Sequence, residues 1–280
     1  MTTQDAGIPL VYEPRGGVPD FRVKSGARVV AVLDFFQRFN RPARAYEIGR
    51  ALDLAPSSAN DLLKTLVEVG YLDFDAAEKT YFPGIRVGLL GHWLARLHPE
   101  LNQLEDFARN LSRECGEHVV LFAQRQHKIQ VLSIRPGEVA PPVNIYEGAS
   151  LPVFGTAAGC ALLMLKSHME TYDIVRKTFR TKSCSHAVVS IGGIVQDCKR
   201  RGYASSVRED IVPDNWAIAL PLPIKVSESS IVVGLGGPTA RVQRNERQLV
   251  ALAHSMISNH FGQMMGHQAG QEMSPLNIYN

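Results

Sequence analysis

Ser57, Asn60, Asp61 and Lys64 recur at i, i+3, i+4 and i+7, the spacing of one face of an α-helix. Ala59, Leu62, Leu63 and Leu66 repeat the same spacing on the opposite face. Hydrogen-bonding side chains on one face, with the other face packed, are what a helix needs to enter a DNA major groove. Asn60 can pair with both polar atoms of an adenine edge, Asp61 can accept from cytosine N4, and Ser57 and Ser58 can serve either, each good contact discriminating by about 1–3 kcal/mol. The same residues have plainer uses. Either serine can cap a helix, and Asp61 can sit in a surface ion pair or repel phosphate and so reject nonspecific DNA. Lys64 joins Arg28, Arg41, Arg44, Arg50 and Lys79 as cations suited to phosphate contacts. Each alone reads equally well as a solvated surface charge; together on one segment they favour DNA.

A second segment, Gly155-Thr156-Ala157-Ala158-Gly159, opens a helical stretch and offers free N–H groups to an anion or carboxylate. The plainer reading is tight packing of a helix on a sheet. GLGGP at Gly234–Pro238 lacks the third glycine and the βαβ setting of a dinucleotide fingerprint. His118, His127, His168 and His186 show no metal-ligand spacing, and GxSxG, HExxH, P-loop and SxxK motifs are absent. No catalytic residue, cofactor or metal is therefore expected. An enzyme whose α+β half is a small-molecule catalytic domain remains the alternative, because catalytic groups can converge in space without a motif. A DNA-binding structural protein without an effector is a third class, and the well-formed second half argues against it.

These residues need elements to hold them. A first helix begins near Ser25, with Val29, Val32, Leu33 and Phe36 as its apolar stripe, and breaks at Asn40-Arg41-Pro42. A second runs from about Ala45 to Leu52. After the turn Asp53-Leu54-Ala55, Pro56 opens the third, which ends near Gly70. Tyr71–Phe74 and Thr80–Phe82 flank a polar turn and predict a hairpin. Three helices and a hairpin make a winged helix-turn-helix. Val87–Leu97 predicts an apolar linker helix, ended or bent by Pro99 and suited to act as a lever between the halves. Beyond a helix carrying Leu104, Phe107, Ala108 and Leu111, the texture becomes α+β. Strands are predicted at His118–Gln124, Ile129–Arg135, Tyr203–Arg208, Trp216–Ile224 and Ser230–Gly236; helices are predicted at Thr156–Lys166, Val188–Arg201 and Arg241–Phe261. The expected division is a flexible arm over 1–23, a DNA-binding domain over 24–86, a linker helix over 87–99, an effector-binding domain over 100–264 and a flexible tail over 265–280.

Composition permits this reading without demanding it. The 280 residues are 45% hydrophobic and 20% charged, with a formal net charge of +3. Cys115, Cys160, Cys184 and Cys198 form no CxxC pair, which fits reduced thiols in a cytoplasmic protein. No signal segment and no run of 18 apolar residues occurs, so no membrane partner is expected.

AYEIGRALDLAPSSANDLLKTLVEVGYLDFD, LPVFGTAAGCALL, RRGYASSVRED and IALPLPIKVSESSIVVGLGGPTARV, taken in order over about 25–262, resemble the IclR-type transcriptional regulators. The resemblance implies a winged helix-turn-helix joined by a linker helix to a GAF-like effector-binding domain. It also implies assembly as a homodimer or homotetramer on a double-stranded operator, and a small organic acid or aromatic metabolite as effector. By resemblance the effector pocket is walled by Gly155, Thr156 and Ala157 and by Ser206, Asp214, Trp216, Gly234 and Gly236. Gly234 and Gly236 stand where the family frequently has Ser, leaving fewer hydroxyls and more room, while Trp216 would add a flat apolar wall or else sit in the core. Pro56, Asp61 and Cys160 replace residues that are commonly basic, so the recognition helix is less cationic than is usual in the family.

Overall fold

The computed structural model describes residues 23–138, 145–178, 184–207 and 214–271. The expected arm lies almost entirely outside them, as do the last nine residues of the expected tail. The chain divides into two compact units, Met1–Pro99 and Glu100–Asn280.

The first unit packs α1 (Lys24–Phe39), α2 (Ala45–Ala51) and α3 (Pro56–Glu68) around Val32, Phe35, Phe36, Ile48, Leu63 and Leu66. Glu47 accepts from the Arg44 N–H at 2.8 Å and pairs with Arg41 at 2.7 Å, which fixes the start of α2. The Arg41 guanidinium, followed by the Arg44 amide, holds the Glu47 carboxyl below its ordinary pKa. The turn into α3 passes through left-handed backbone at Asp53 (φ 52°), a conformation that Asp tolerates. Gly49 allows the two helices to approach: a Cβ there would lie 3.2 Å from that of Ala59. Strands β1 (Leu72–Asp75) and β2 (Thr80–Pro83) pair antiparallel, and Tyr81 exchanges both backbone hydrogen bonds with Ala43, tying the hairpin to the helices. Helix α4 (Ile85–Leu97) follows directly. Arg86 lies over the Tyr71 ring at 5.2 Å and donates to the Val69 carbonyl at 2.9 Å.

The second unit is built on one antiparallel sheet in the order β5-β4-β3-β8-β7-β6. Its strands are β3 (His118–Arg125), β4 (Lys128–Arg135), β5 (Ser150–Pro152), β6 (Ala204–Val207), β7 (Asn215–Val226) and β8 (Ser229–Pro238). Period-two alternation separates two cores. Val119, Leu121, Ile218, Leu220, Val233 and Leu235 face α5 (Glu100–Cys115), α9 (Thr239–Arg244) and α10 (Glu246–Gln271). Val120, Phe122, Ala219 and Val232 face α6 (Ala157–Met164), α7 (His168–Thr178) and α8 (Cys184–Arg201). Pro221 and Pro223 interrupt the β7–β8 register between Pro221 and Lys225. They lie beyond the stretch that β6 pairs, so their missing N–H groups cost no ladder bond on that side. The predicted Arg241–Phe261 helix is two, broken at Asn245. Both β5 and α7 are additions to the predicted elements.

Among the described residues no helix is long and apolar enough to cross a membrane. Nor do three or more His, Cys, Asp and Glu side chains converge as they would around a metal ion.

A candidate DNA-reading face and a candidate effector pocket

Leu63 and Leu66 anchor α3 in the core of the first unit and leave Ser57, Asn60, Asp61 and Lys64 exposed together along its outer face. The N-cap is Ala55, with no side-chain cap, and Pro56 occupies the first turn. The two serines therefore stand at the second and third helical positions rather than at the cap. Ser58, Arg44 and Arg50 are also exposed, Arg28 is half-buried on α1, and Lys79 sits at the hairpin tip with φ 54°. Asp75 shapes that tip by accepting from the Ala77 and Glu78 amides at 2.8 and 3.1 Å. Of the expected DNA-contact residues, only the α3 set is gathered on one surface; the others occupy α1, α2 and the hairpin.

Helix α4 carries an uncovered apolar stripe. Leu89, Leu90, Trp93, Leu94 and Leu97 are exposed, Ile85 is 84% exposed, and the helix buries none of its side chains. Exposed apolar area of this extent marks an interaction surface.

The pocket of the second unit lies on the α6 side of the sheet, with a volume of about 100 Å3. Of the residues that the resemblance implies, Thr156, Ala157, Gly234 and Gly236 line it. Thr156 caps α6: its Oγ1 accepts from the Gly159 N–H at 3.0 Å and donates to the Pro152 carbonyl at 3.1 Å. The N–H groups of Ala157 and Ala158 occupy the first turn of α6, at the pocket wall, and are not the ones that the Thr156 side chain caps. Gly159 permits this seating, because a Cβ there would fall 1.7 Å from the Val153 carbonyl oxygen.

Three expected pocket residues are not brought to it, and for a fourth, Ser206, the side chain is outside the described residues. Gly155 (φ 78°) makes the turn before α6 without lining the cavity. Ser206 lies in β6 with its side chain outside the described residues, and Asp214 is exposed at the start of β7. Trp216 is a correction. It packs with the Ile218 and Leu220 core on the opposite face of the sheet, and its Nε1–H donates to Glu246 at 2.9 Å. The alternation Trp216-Ala217-Ile218-Ala219-Leu220 carries the reason: the bulky residues take one face and the alanines the other, and the alanines line the pocket.

The pocket also holds residues absent from the expected set, chiefly His118, Phe122 and Asn215. Period two along the predicted strand places His118, Val120 and Phe122 on one face, a usable signal. Phe122 approaches so closely that a Cβ on Gly234 would lie 2.9 Å from its ring. The room left by glycine at 234 is thus partly filled by a phenyl group. Beside the pocket Glu117, 3% exposed, forms a two-pronged pair with Arg241 at 2.6 Å in each prong. Cys160 faces the α6–α8 core, where burial, reinforced by neighbouring Cys198, pushes its thiol up to about 11.

Residues 25–76 match the model of the IclR helix-turn-helix domain, and residues 101–258 match that of the bacterial transcriptional regulator IclR C-terminal. The glycerol operon regulatory protein of Streptomyces coelicolor is 26% identical over 230 residues, covering 79% of this chain and 87% of that protein. A crystal structure of an IclR transcriptional regulator from Alicyclobacillus acidocaldarius shares the fold with a TM-score of 0.66 at 19% identity, over 86% of this chain and 98% of that one. So does an IclR homolog from Microbacterium hydrocarbonoxydans complexed with 4-hydroxybenzoate, with a TM-score of 0.64 at 19% identity over 85% and 99% of the two chains.

Proposed function

Because this chain belongs to the IclR family of bacterial transcriptional regulators, we propose that its second unit senses a small aromatic carboxylic acid and that occupancy of the pocket alters operator affinity. The protein is a DNA-binding regulator rather than an enzyme. The observation that carries the effector reading is the pocket wall: the first turn of α6, whose Ala157 and Ala158 amides lie outside the Thr156–Gly159 cap, beside Val120, Phe122 and Leu151. Backbone N–H groups at a helix start favour a carboxylate, and the apolar walls favour a ring. The Microbacterium protein bound to 4-hydroxybenzoate is consistent with that class.

On the DNA side, Ser57, Ser58, Asn60 and Asp61 read base edges, while Lys64, Arg28, Arg44, Arg50 and Lys79 neutralise phosphates. The exposure of the α3 set supports the first assignment. Two copies pair through the α4 stripe, whose uncovered leucines and Trp93 support self-association, and a symmetric dimer reads paired half-sites. The ligand acts through its differential affinity for two arrangements of that dimer.

Mobility shifts on the DNA flanking the gene, run with and without benzoate or 4-hydroxybenzoate over a salt series, test this. Asn60→Ala is expected to relax specificity at one position. Lys64→Ala is expected to reduce the salt slope by about 0.9 per contact, or about 1.8 for a dimer. Insensitivity of DNA binding to every aromatic acid would remove the effector assignment, and an unchanged slope would remove Lys64 from the phosphate set.

A further inference from the structure

The pocket is small for a ligand site. Its volume of about 100 Å3 falls below the roughly 300–1,000 Å3 of most such sites and is of the order of the ~150 Å3 cavity that takes one benzene. Its floor is low. Ala217 pairs with Gly236 and Ala219 with Gly234 across β7 and β8, so nothing larger than a methyl rises from these positions. A ring can lie flat against such strands, and the side chains standing around it set how large it can be.

Phe122 stands over that floor. Among the described lining residues it is the only Phe, Tyr or Trp. Its register partner on β8 is Val232, yet its ring reaches over Gly234, two residues along, which is the diagonal reach of an aromatic side chain. A bulge in the β3–β4 ladder lies at this point: Leu121 faces Ser133 and Phe122 faces Val131, leaving Leu132 unmatched. Bulges raise the local twist and re-aim neighbouring side chains.

The ring is also confined. Phe122 is 7% exposed, and its partners on either side, Val131 and Val232, are fully buried. Gly234 is its seat. A Cβ there would stand 2.9 Å from the ring edge, inside the roughly 3.5–4.0 Å at which carbons pack. Displaced from that seat, the ring has only the cavity to enter.

We infer that Phe122, seated on Gly234, is the size-determining residue of this pocket, and that it restricts the effector to an acid with a single ring and excludes acids with two fused rings. The phenyl group takes the space that a second ring would need and packs against the first. This rests on the aromatic-acid reading above and adds to it how large the ring system can be and which residue sets the limit.

Calorimetric titration of the full-length protein with benzoate and 2-naphthoate tests it. The wild type is expected to bind 2-naphthoate roughly ten- to hundredfold more weakly than benzoate, the cost of overfilling a packed site. Phe122→Ala should reverse the order, 2-naphthoate gaining roughly tenfold or more, and Phe122→Leu should move it part of the way. Gly234→Ala should weaken benzoate binding about tenfold by driving the ring into the cavity, and that loss should fall within about twofold when Phe122→Ala is also present, as expected of residues in contact. A purely structural role for Phe122 would lower affinity for both acids and improve neither. If neither acid binds the wild type, the aromatic-acid reading falls and this inference with it. Wild-type binding of 2-naphthoate as tight as that of benzoate overturns the size limit and leaves the aromatic reading standing. An undiminished preference for benzoate in Phe122→Leu or Phe122→Ala overturns the Phe122 assignment. The wild-type comparison needs no variant to fold, and Phe122→Leu keeps an apolar group in the core where Phe122→Ala leaves a hole.

Discussion

Gly159 and Gly192 both sit inside helices of the second unit, and replacing each with alanine should move stability in opposite directions. At Gly159 the new methyl would lie 1.7 Å from the Val153 oxygen, 2.5 Å from its carbon and 2.8 Å from Thr156 Oγ1. Ordinary contact needs about twice the first distance, so α6 must retreat by more than 1 Å from a sheet on which Ala161, Leu162 and Leu163 are fully buried. Overpacking of this kind costs about 1–3 kcal/mol, and disturbing the Thr156 cap adds about 1 kcal/mol. The sum, about 2–4 kcal/mol, corresponds to a loss of roughly 5–15 °C in Tm for a unit of this size. At Gly192 nothing lies within 4 Å of the added methyl, and α8 should gain about 0.5–1 kcal/mol of helix propensity. Thermal and urea unfolding of the two variants beside the wild type, followed by circular dichroism, measures both. Because α6 carries Ala157 and Ala158 at the pocket wall, Gly159→Ala should also weaken benzoate binding while Gly192→Ala leaves it unchanged. A Gly159→Ala protein as stable as the wild type would refute the close seating of α6 on Val153.

Trp93→Glu, at a residue 53% exposed on α4, should abolish self-association in sedimentation experiments without lowering Tm; an unchanged oligomer would show that α4 is not the seam. Trp216→Phe removes the hydrogen bond to Glu246 and should cost about 1–2 kcal/mol in unfolding experiments. Since Trp216 lies across the sheet from the pocket, a loss of aromatic-acid affinity in that folded variant would contradict the two-faced arrangement. The raised Cys160 thiol should resist iodoacetamide in the folded protein at pH 8 and react once urea unfolds it. Its folded pKa lies above its unfolded one, so its contribution to stability is present below pH 9 and is lost between about 9 and about 11. Rapid alkylation of the native protein at pH 8 would show that this thiol is not buried.

The winged unit was legible because its signals agree. Leu63 and Leu66 repeat at helical period, Pro56 suits a first turn, and the polar run Asp75–Lys79 separates two apolar pairs. The α+β class and most strands followed from alternation in the same way. Strand β5 was not legible because three residues establish no period. The break at Asn245 was hidden by apolar residues that continue the helical pattern on both sides. The GTAAG run marked a helix start from local chemistry, which needs no distant partner, and the resemblance to the family made it a pocket wall. The opposite wall comes from three strands, and its members are decided by which face each residue takes. Trp216 was assigned by resemblance, as a flat apolar wall or else a core residue, and its position in the alternation puts it on the other side. His118 and Asn215 join the site through Gly236, a contact between residues about 120 and 20 positions apart in the chain from it, which no local spacing encodes.

Arg86, stacked on Tyr71 and bonded to the Val69 carbonyl, fastens the first turn of α4 to the end of the recognition helix and the base of the hairpin. If two copies pair through α4 and read bases through α3 as proposed, this joint divides the operator code between two helices. The letters of each half-site belong to α3, and the distance between half-sites belongs to α4. A slip of the seam by one helical turn, about 5.4 Å, displaces each reading head by one to two base pairs at about 3.4 Å per step. On that arrangement, operators with altered spacing but unaltered half-sites should be matched by compensating changes among Leu89, Trp93 and Leu97 of α4.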